Sequence, residues 1–268
     1  MNGIATTLTG LDWSPPAATA GVLAVWNRNF LVWRKLMGPS LLFNFGEPVL
    51  YLLGLGFGLG RFIGSMDGMP YLTFLATGLL ASSAMNTASF EGLYSVYTRM
   101  VPQQTYDGML ATPLCVDDIV AGEMLWCATK GIISSSAILV VANIMGALHG
   151  WQSLLCLPAF FLTGLCFAGP ALFMCAISRS YDFFAYYVTL VMTPMFIFCG
   201  VFYPSTGLPQ AVQPLVQALP LTHAVAIIRP LASGHAVGNV LLHLSVLSAY
   251  AAAGFYLAVV LVRRRLIQ

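Results

Sequence analysis

Four ionisable residues interrupt stretches that are otherwise apolar: Glu47, Glu91, Glu123 and Lys130. A charge at mid-bilayer costs about 2.5–3.5 kcal/mol, so each one asks for a partner or a task. At about 1.5 Å of rise per residue, Glu47 lies roughly 14 Å and Lys130 roughly 18 Å into the apolar runs that hold them. Opposite signs at similar depth make a Glu47–Lys130 pair one expectation. The alternatives are a wet cavity, separate snorkelling, or a protonated Glu47. Glu91 and Glu123 fall shallower. Pro48 removes a backbone donor beside Glu47 and is expected to kink that helix.

Catalytic chemistry has no comparable foothold. The only lysines are Lys35 and Lys130. Arg34 precedes the first and Gly131 follows the second, so neither completes a phosphate-binding G-x-x-x-x-G-K-[ST] loop. No His-Glu-x-x-His and no G-x-S-x-G occurs. The six cysteines never reach C-x-x-C spacing and read as small buried apolar residues. His223 and His235 read as interfacial polar groups, not metal ligands. The expectation is a chain that is not an enzyme and has no catalytic residue, metal or cofactor of its own. Any work it does draws energy from elsewhere.

The elements that must position these groups follow from composition. Of 268 residues, 59% are apolar and 7% are charged, against about a quarter charged in soluble domains. No charge lies between Lys130 and Arg179, between Asp182 and Arg229, or between Arg229 and Arg263. A membrane helix needs about 20 apolar residues, so the first two gaps each hold two spans and the third holds one. The class is an all-α polytopic membrane protein with six transmembrane helices, at 38–61, 70–94, 118–143, 153–177, 183–203 and 239–262. LGLGFGLG, from Leu53 to Gly60, lies inside the first and reads as small-residue helix packing. The net charge of +2 comes partly from Arg263, Arg264 and Arg265, which gives no case for nucleic acid.

Residues 1–19 carry Pro15-Pro16 and scattered Thr and Gly without a period, and read as a flexible N-terminal tail. The stretch begins without the charged start of a signal peptide. In 20–37, Trp26, Phe30, Trp33 and Met37 share one helical face, while Arg28, Arg34 and Lys35 are cationic. This predicts an interfacial helix on anionic lipid; the plainer alternative is the flank of the first span. With the N-terminus inside, Arg28, Arg34, Lys35, Arg99, Arg179, Arg263, Arg264 and Arg265 are cytoplasmic, against Arg61 and Arg229 outside. Both termini then face the cytoplasm.

Two connections are long. On the cytosolic side, Pro102 and Pro113 bracket about two helical turns, from Gln103 to Ala111, and Asp117 is placed to cap the third span. Such a helix serves as a lever for a soluble partner, or simply as a folded turn. On the outer side, Val212, Leu215, Val216 and Leu219 share a face, Pro220 breaks the run, and a second short helix starts at Leu221. Neither piece can span, which predicts a re-entrant hairpin between the fifth and sixth spans.

Several runs carry a resemblance: EPVLYLLGLGFGLG from Glu47, ASSAMNTASFEGLYSVYTRM from Ala81, MLATPLCVDDIVAGEMLWCATKG from Met109, DFFAYYVTLVMTPMFIFCGVFYP from Asp182 and ALPLTHAVAIIRPL from Ala218. The chain resembles the type-2 ABC exporter permeases over about residues 22–262, most closely the nodulation protein J family. That resemblance implies one transmembrane domain, 20–268, that forms a homodimer in the bacterial inner membrane. It also implies two copies of a separate ABC ATPase subunit, of the nodulation protein I kind, which bind ATP-Mg. The coupling helix near 103–114 would seat Tyr106, Asp107, Gly108, Met109, Leu110, Ala111, Thr112, Pro113 and Leu114 on that ATPase, and 20–37 would be the gate helix. The implied cargo is an amphipathic lipid-linked oligosaccharide, of the lipo-chitooligosaccharide kind. Drug, lipid or polysaccharide efflux is the alternative. Phe183, Phe184, Tyr186 and Tyr187 are candidates for the channel lining or for ordinary packing. The stretch Phe167–Cys175 departs from the family pattern. An ATPase-independent channel or carrier, a membrane-embedded enzyme and a scaffold are the other classes.

Overall fold

A computed structural model describes residues 12–35, 37–38, 46, 49–148 and 151–267. The Glu47 and Pro48 expectations lie outside them. Helix α1 is Gly21–Lys35. The apolar helix α2, Val49–Ile63, contains a π-helical turn at Leu52–Leu59. A two-stranded hairpin, Ser65–Met66 with Met69–Pro70, turns the chain into α3, Tyr71–Phe90. A second π turn, Glu91–Ser95, joins α3 to α4, Val96–Met100. Then come α5 (Thr105–Leu110), α6 (Val116–Ile144) and, after a 3-10 turn at Trp151–Cys156, α7 (Leu157–Ile177). Helix α8, Asp182–Phe198, holds a third π turn at Val188–Met192. The chain closes with α9 (Gln213–Ala218), α10 (Pro220–Ala232) and α11 (Val240–Ile267).

Three of the described helices, Val116–Ile144, Ser153–Ile177 and Val240–Leu266, are long and apolar enough to cross a membrane. Helix α3 has the length, but Thr77, Ser82, Ser83, Asn86 and Ser89 dilute its hydropathy. Most of it is nonetheless buried, because α6 and α7 pack along it. Ser83 and Ser134 bond across α3 and α6 at 2.8 Å, and Ser135 donates to Leu80 O at 2.9 Å. Small hydroxyls let the backbones approach and then satisfy themselves across the gap.

The Phe167–Cys175 stretch finds its reason in α11. A Cβ on Gly169 would stand 2.9 Å from Gly254 Cα, so α7 and α11 cross on two glycines. In the LGLGFGLG run two glycines meet α3: a Cβ on Gly56 would lie 2.5 Å from Leu72 and one on Gly60 3.7 Å from Tyr71. Gly54 and Gly58 face no described atom within 4 Å. The packing expected of the whole run holds at those two positions.

Residues 12–19, placed by composition in the flexible tail, form no helix or strand but are tied down. Ala17 N donates to Asp117 Oδ2 at 2.7 Å and Thr19 N to Asp118 Oδ1 at 2.5 Å. Arg263 grips Asp117 through Nε and Nη2 at 2.7 and 2.5 Å and reaches Ser14 O at 2.9 Å. The cap of α6 therefore differs from the expectation. Cys115 is the N-cap and Asp118 completes a capping box, which frees Asp117 for the strap and Arg263. Arg263→Met should leave Asp117, 4% exposed, as a buried unpaired charge and cost about 3 kcal/mol. A fall in the thermal midpoint of the purified chain, smaller when Asp117→Asn is added, is the measurement.

Two further cations close helix ends. Arg265 Nη1 donates to Cys175 O, Ala176 O and Ser178 O, capping α7 where a helix favours positive charge. Arg229 of α10 donates to Thr77 Oγ1 at 3.1 Å and to Gly200 O at 2.6 Å, and stacks 3.7 Å over Phe74. It fastens the α9–α10 hairpin to α3.

Candidate functional site

Glu91, Ser95 and Arg99 follow at four-residue steps from the end of α3 into α4. Glu123, Trp126 and Lys130 share a face of α6. The two faces meet in a buried ionic cluster. Arg99 takes Glu123 bidentately, Nε to Oε1 at 3.0 Å and Nη2 to Oε2 at 2.7 Å, and reaches Glu91 Oε1 at 3.2 Å. Lys130 Nζ stands 3.9 Å from Glu91 Oε2. Trp126 Nε1 and Ser95 Oγ each donate to Glu91 at 3.0 Å. Two carboxylates and two cations balance, which is the condition on which such burial is tolerable. Burial works against the Arg99 charge, but Glu123 and then Glu91 overcome it and push its pKa up.

Helix α1 plugs into this cluster. Asn29, buried, donates to Glu123 Oε2 at 2.9 Å and accepts from Arg28 Nη1 at 2.9 Å. Trp26 Nε1 donates to Thr129 Oγ1 at 3.0 Å. Phe30 and Trp33 pack on Trp126 with centroids 6.4 and 6.0 Å away, and Lys130 sits 5.7 Å from the Trp33 ring. The approach is close because position 122 is Gly. A Cβ there would lie 2.6 Å from Val25 Cβ and 2.9 Å from Val22 O. Arg34 and Lys35 remain exposed at the end of α1.

The short helix α5 borders the cluster from below. Tyr106 and Met109 are buried, Leu110 and Leu114 half-buried, and Asp107, Gly108, Ala111, Thr112 and Pro113 exposed. Burial and the nearby Glu123 charge raise the Tyr106 phenol well above its ordinary value, so it stays neutral. The expected helix is thus present, with one face keyed into the fold and the other open.

A cavity of about 250 Å³ lies between α2, α3 and α8, lined by Tyr51, Asn86, Phe90, Val188, Met192, Thr193 and Phe196. All three π turns of the chain's described residues abut this lining. Such turns cost hydrogen-bond geometry and recur at functional sites. The walls carry three aromatic rings, one amide and two hydroxyls, those of Tyr51 and Thr193, and no charge.

The four aromatics of α8 do not act as one lining. Phe184 is fully buried against Tyr94 and Tyr97, at 5.2 and 5.3 Å, and Tyr187 is buried. Phe183 is half-buried and Tyr186 exposed. The helical period puts 183 and 186 on one face and 184 and 187 on another. Sequence reading also missed Arg99, Asn29 and Trp126. The two four-residue steps from Glu91 through Ser95 to Arg99 were the available signal for the first. Nothing local marked Asn29.

The chain matches the model of the ABC-2 type transporter over residues 20–231. It is 44% identical over 253 residues to nodulation protein J of Rhizobium leguminosarum bv. viciae, covering 94% of this chain and 98% of that one. Nodulation protein J of Bradyrhizobium diazoefficiens is 42% identical over 254 residues, covering 94% and 97%. The inner membrane transport permease YadH of Escherichia coli is 23% identical over 202 residues, covering 75% and 76%.

Proposed function

This chain belongs to the ABC-2 type transporter family, and from that premise we propose that it is the permease of an exporter driven by a separate ATPase subunit. The observation that carries the reading is the split character of α5. Its buried face leads to the Glu91–Arg99–Glu123–Lys130 cluster, and its open face is presented beside the chain's Asp117–Arg263 end. A push on Asp107–Pro113 is transmitted to α4 and α6 at once, and through Asn29 and Trp126 to α1. That is the mechanical path a coupling helix and gate helix require.

In this reading the six apolar segments cross the inner membrane, the α9–α10 hairpin re-enters from the outer side, and both termini are cytoplasmic. Two copies pair along α2 and α8, and each seats one ATPase subunit carrying ATP-Mg. The cargo is an amphipathic lipid-linked oligosaccharide passing the cavity of α2, α3 and α8. Sugar CH faces stack on aromatic rings such as Tyr51, Phe90 and Phe196, while Asn86 and Thr193 offer hydrogen bonds. The similarity to nodulation protein J over nearly the whole chain favours a lipo-chitooligosaccharide.

The test is copurification of the tagged permease with a candidate Walker-motif ATPase, followed by ATPase turnover in nanodiscs with and without lipo-chitooligosaccharide. A stable complex whose turnover responds to that lipid is expected. A folded permease that binds no ATPase would sink the exporter reading. Thr193→Trp, at an exposed position on the cavity wall, should leave the complex intact and cut lipid-dependent turnover at least tenfold. Unchanged stimulation would move the cargo path elsewhere.

A further inference from the structure

The α9–α10 hairpin is fastened to α11 by two polar contacts. Tyr250 Oη donates to Ala218 O at 3.0 Å. His223, on α10, meets His243, in the first turns of α11, Nδ1 to Nδ1 at 2.8 Å. His223 Nε2 lies 2.9 Å from Gln217 O. A carbonyl can only accept, so His223 carries its hydrogen on Nε2, and in the neutral ring its Nδ1 is then the acceptor. His243 must donate from Nδ1, which leaves its Nε2 as a free acceptor.

The ring centroids are 5.1 Å apart, close to the widest separation that a 2.8 Å Nδ1–Nδ1 contact allows. The two nitrogens therefore point at each other head-on. That is the geometry of an N–H···N hydrogen bond. Two imidazoles sharing one metal ion would converge at an angle, with their centroids nearer together.

Among the described residues, the helices packed on the pair supply no counter-charge; Asp67, in the turn before α3, acts on Arg229. Helix α10 packs on α3, α7, α8, α9, α11 and the turn Trp151–Cys156. Between Tyr71 and Phe90, in α7, in Thr193–Phe198, in α9 and in that turn there is no Asp, Glu, Lys, Arg or His. Cys156, whose thiol donates to Ile228 O at 3.7 Å, Cys199, bonded to Thr222, and Tyr250 are titratable groups at the hairpin, and all are neutral near pH 7. Arg229 is on α10 itself but turns toward α3. Arg263, Arg264 and Arg265 lie at the far end of α11. His235 is exposed in the connection between α10 and α11, and His149 is outside the described residues.

We propose that His223 and His243 form a proton-responsive latch, which holds the hairpin to the last helix until both rings are charged. The first proton enters at His243 Nε2, the free acceptor, and leaves the Nδ1–H···Nδ1 bond in place with a charged donor. The second has only His223 Nδ1 to bind. That atom is the acceptor of the bond, so its protonation sets two N–H groups head to head and parts the rings. The latch is closed at neutral pH and opens as the outer face is acidified. Its effect on cargo release rests on the exporter reading; the opening itself does not.

The test uses the full-length chain in nanodiscs, with Cys115→Ser and spin labels at Leu215→Cys and Leu241→Cys, which are 69% and 84% exposed. Distances are measured by pulsed electron resonance at about pH 7.5 and about pH 4.5, on either side of ordinary histidine titration. One narrow distribution at neutral pH and a broader, longer one in acid are expected. His243→Phe and His223→Phe should each be broad at both values, with no response to acid. Nitrogen-15 spectra should place the neutral hydrogens on His223 Nε2 and His243 Nδ1. An unchanged narrow distribution in acid would overturn the latch, as would an acid response that survives in both Phe variants. A control pair on α11 alone, at Leu241 and Leu257, must stay fixed; a shift there means general unfolding and overturns it too.

Discussion

Replacing Arg99 by Met is expected to leave little folded permease. Arg99 is the only described cation that touches both Glu91 and Glu123, and the Glu123 side chain has no exposed surface. Taking one partner from a buried ion pair costs about 3–5 kcal/mol, because the remaining charge is stranded. Against a total stability of about 5–15 kcal/mol, such a loss is visible as a collapse in monodisperse yield. Arg99→Lys should recover only part, since one ammonium cannot take Glu123 bidentately and reach Glu91 as well. Arg99→Met with Glu123→Gln should fold better than Arg99→Met alone, because one stranded charge is removed. Yield and thermal midpoint in detergent are the readouts. Strictly additive losses would mean that the groups do not act as a unit.

The second large effect concerns partner binding and leaves the fold alone. Asp107 and Gly108 are exposed on α5, and a Cβ at position 108 meets nothing within 4 Å. Glycine in a helix is also worse than most residues by about 0.5–1 kcal/mol. Asp107→Lys with Gly108→Arg should therefore give a permease at least as stable as the parent. The same change puts two long cations on the surface proposed to seat the ATPase. Complex formation should weaken at least tenfold, about 1.4 kcal/mol, and ATPase turnover should fall to that of the isolated subunit. Tyr106→Ala is the contrasting variant. It empties a fully buried aromatic site, costs about 3–5 kcal/mol, and should fail by unfolding. A double-cation variant that still binds and stimulates the ATPase would remove α5 from the interface.

These two results depend differently on the sequence. The short helix α5 was legible because prolines bracket it, a signal local to a dozen residues. The helices were legible for the same kind of reason: charge-free runs of the right length announce themselves, and the helices after the first expected span begin and end within about five residues of the expected limits. Where the reading fell short, the missing information lay across the chain. Lys130 has a neighbour in Glu91, 39 positions away, which no local spacing announced. Asp117 was read as a cap and instead holds Ala17 and Arg263.

What the sequence determined by itself was the membrane character, the order of the helices, the position of the short helix α5 and the break between α9 and α10. Each follows from composition or from a periodicity within one segment, where the backbone's own geometry sets the rule. Tertiary structure alone decided which charges meet, that α1 is locked to α6 through Asn29 and Gly122, that residues 12–19 are a strap, and that three π turns gather around one cavity. Those outcomes turn on how helices rotate and slide against one another. A rotation of one residue, about 100°, exchanges a buried face for an exposed one, and no local spacing fixes that angle.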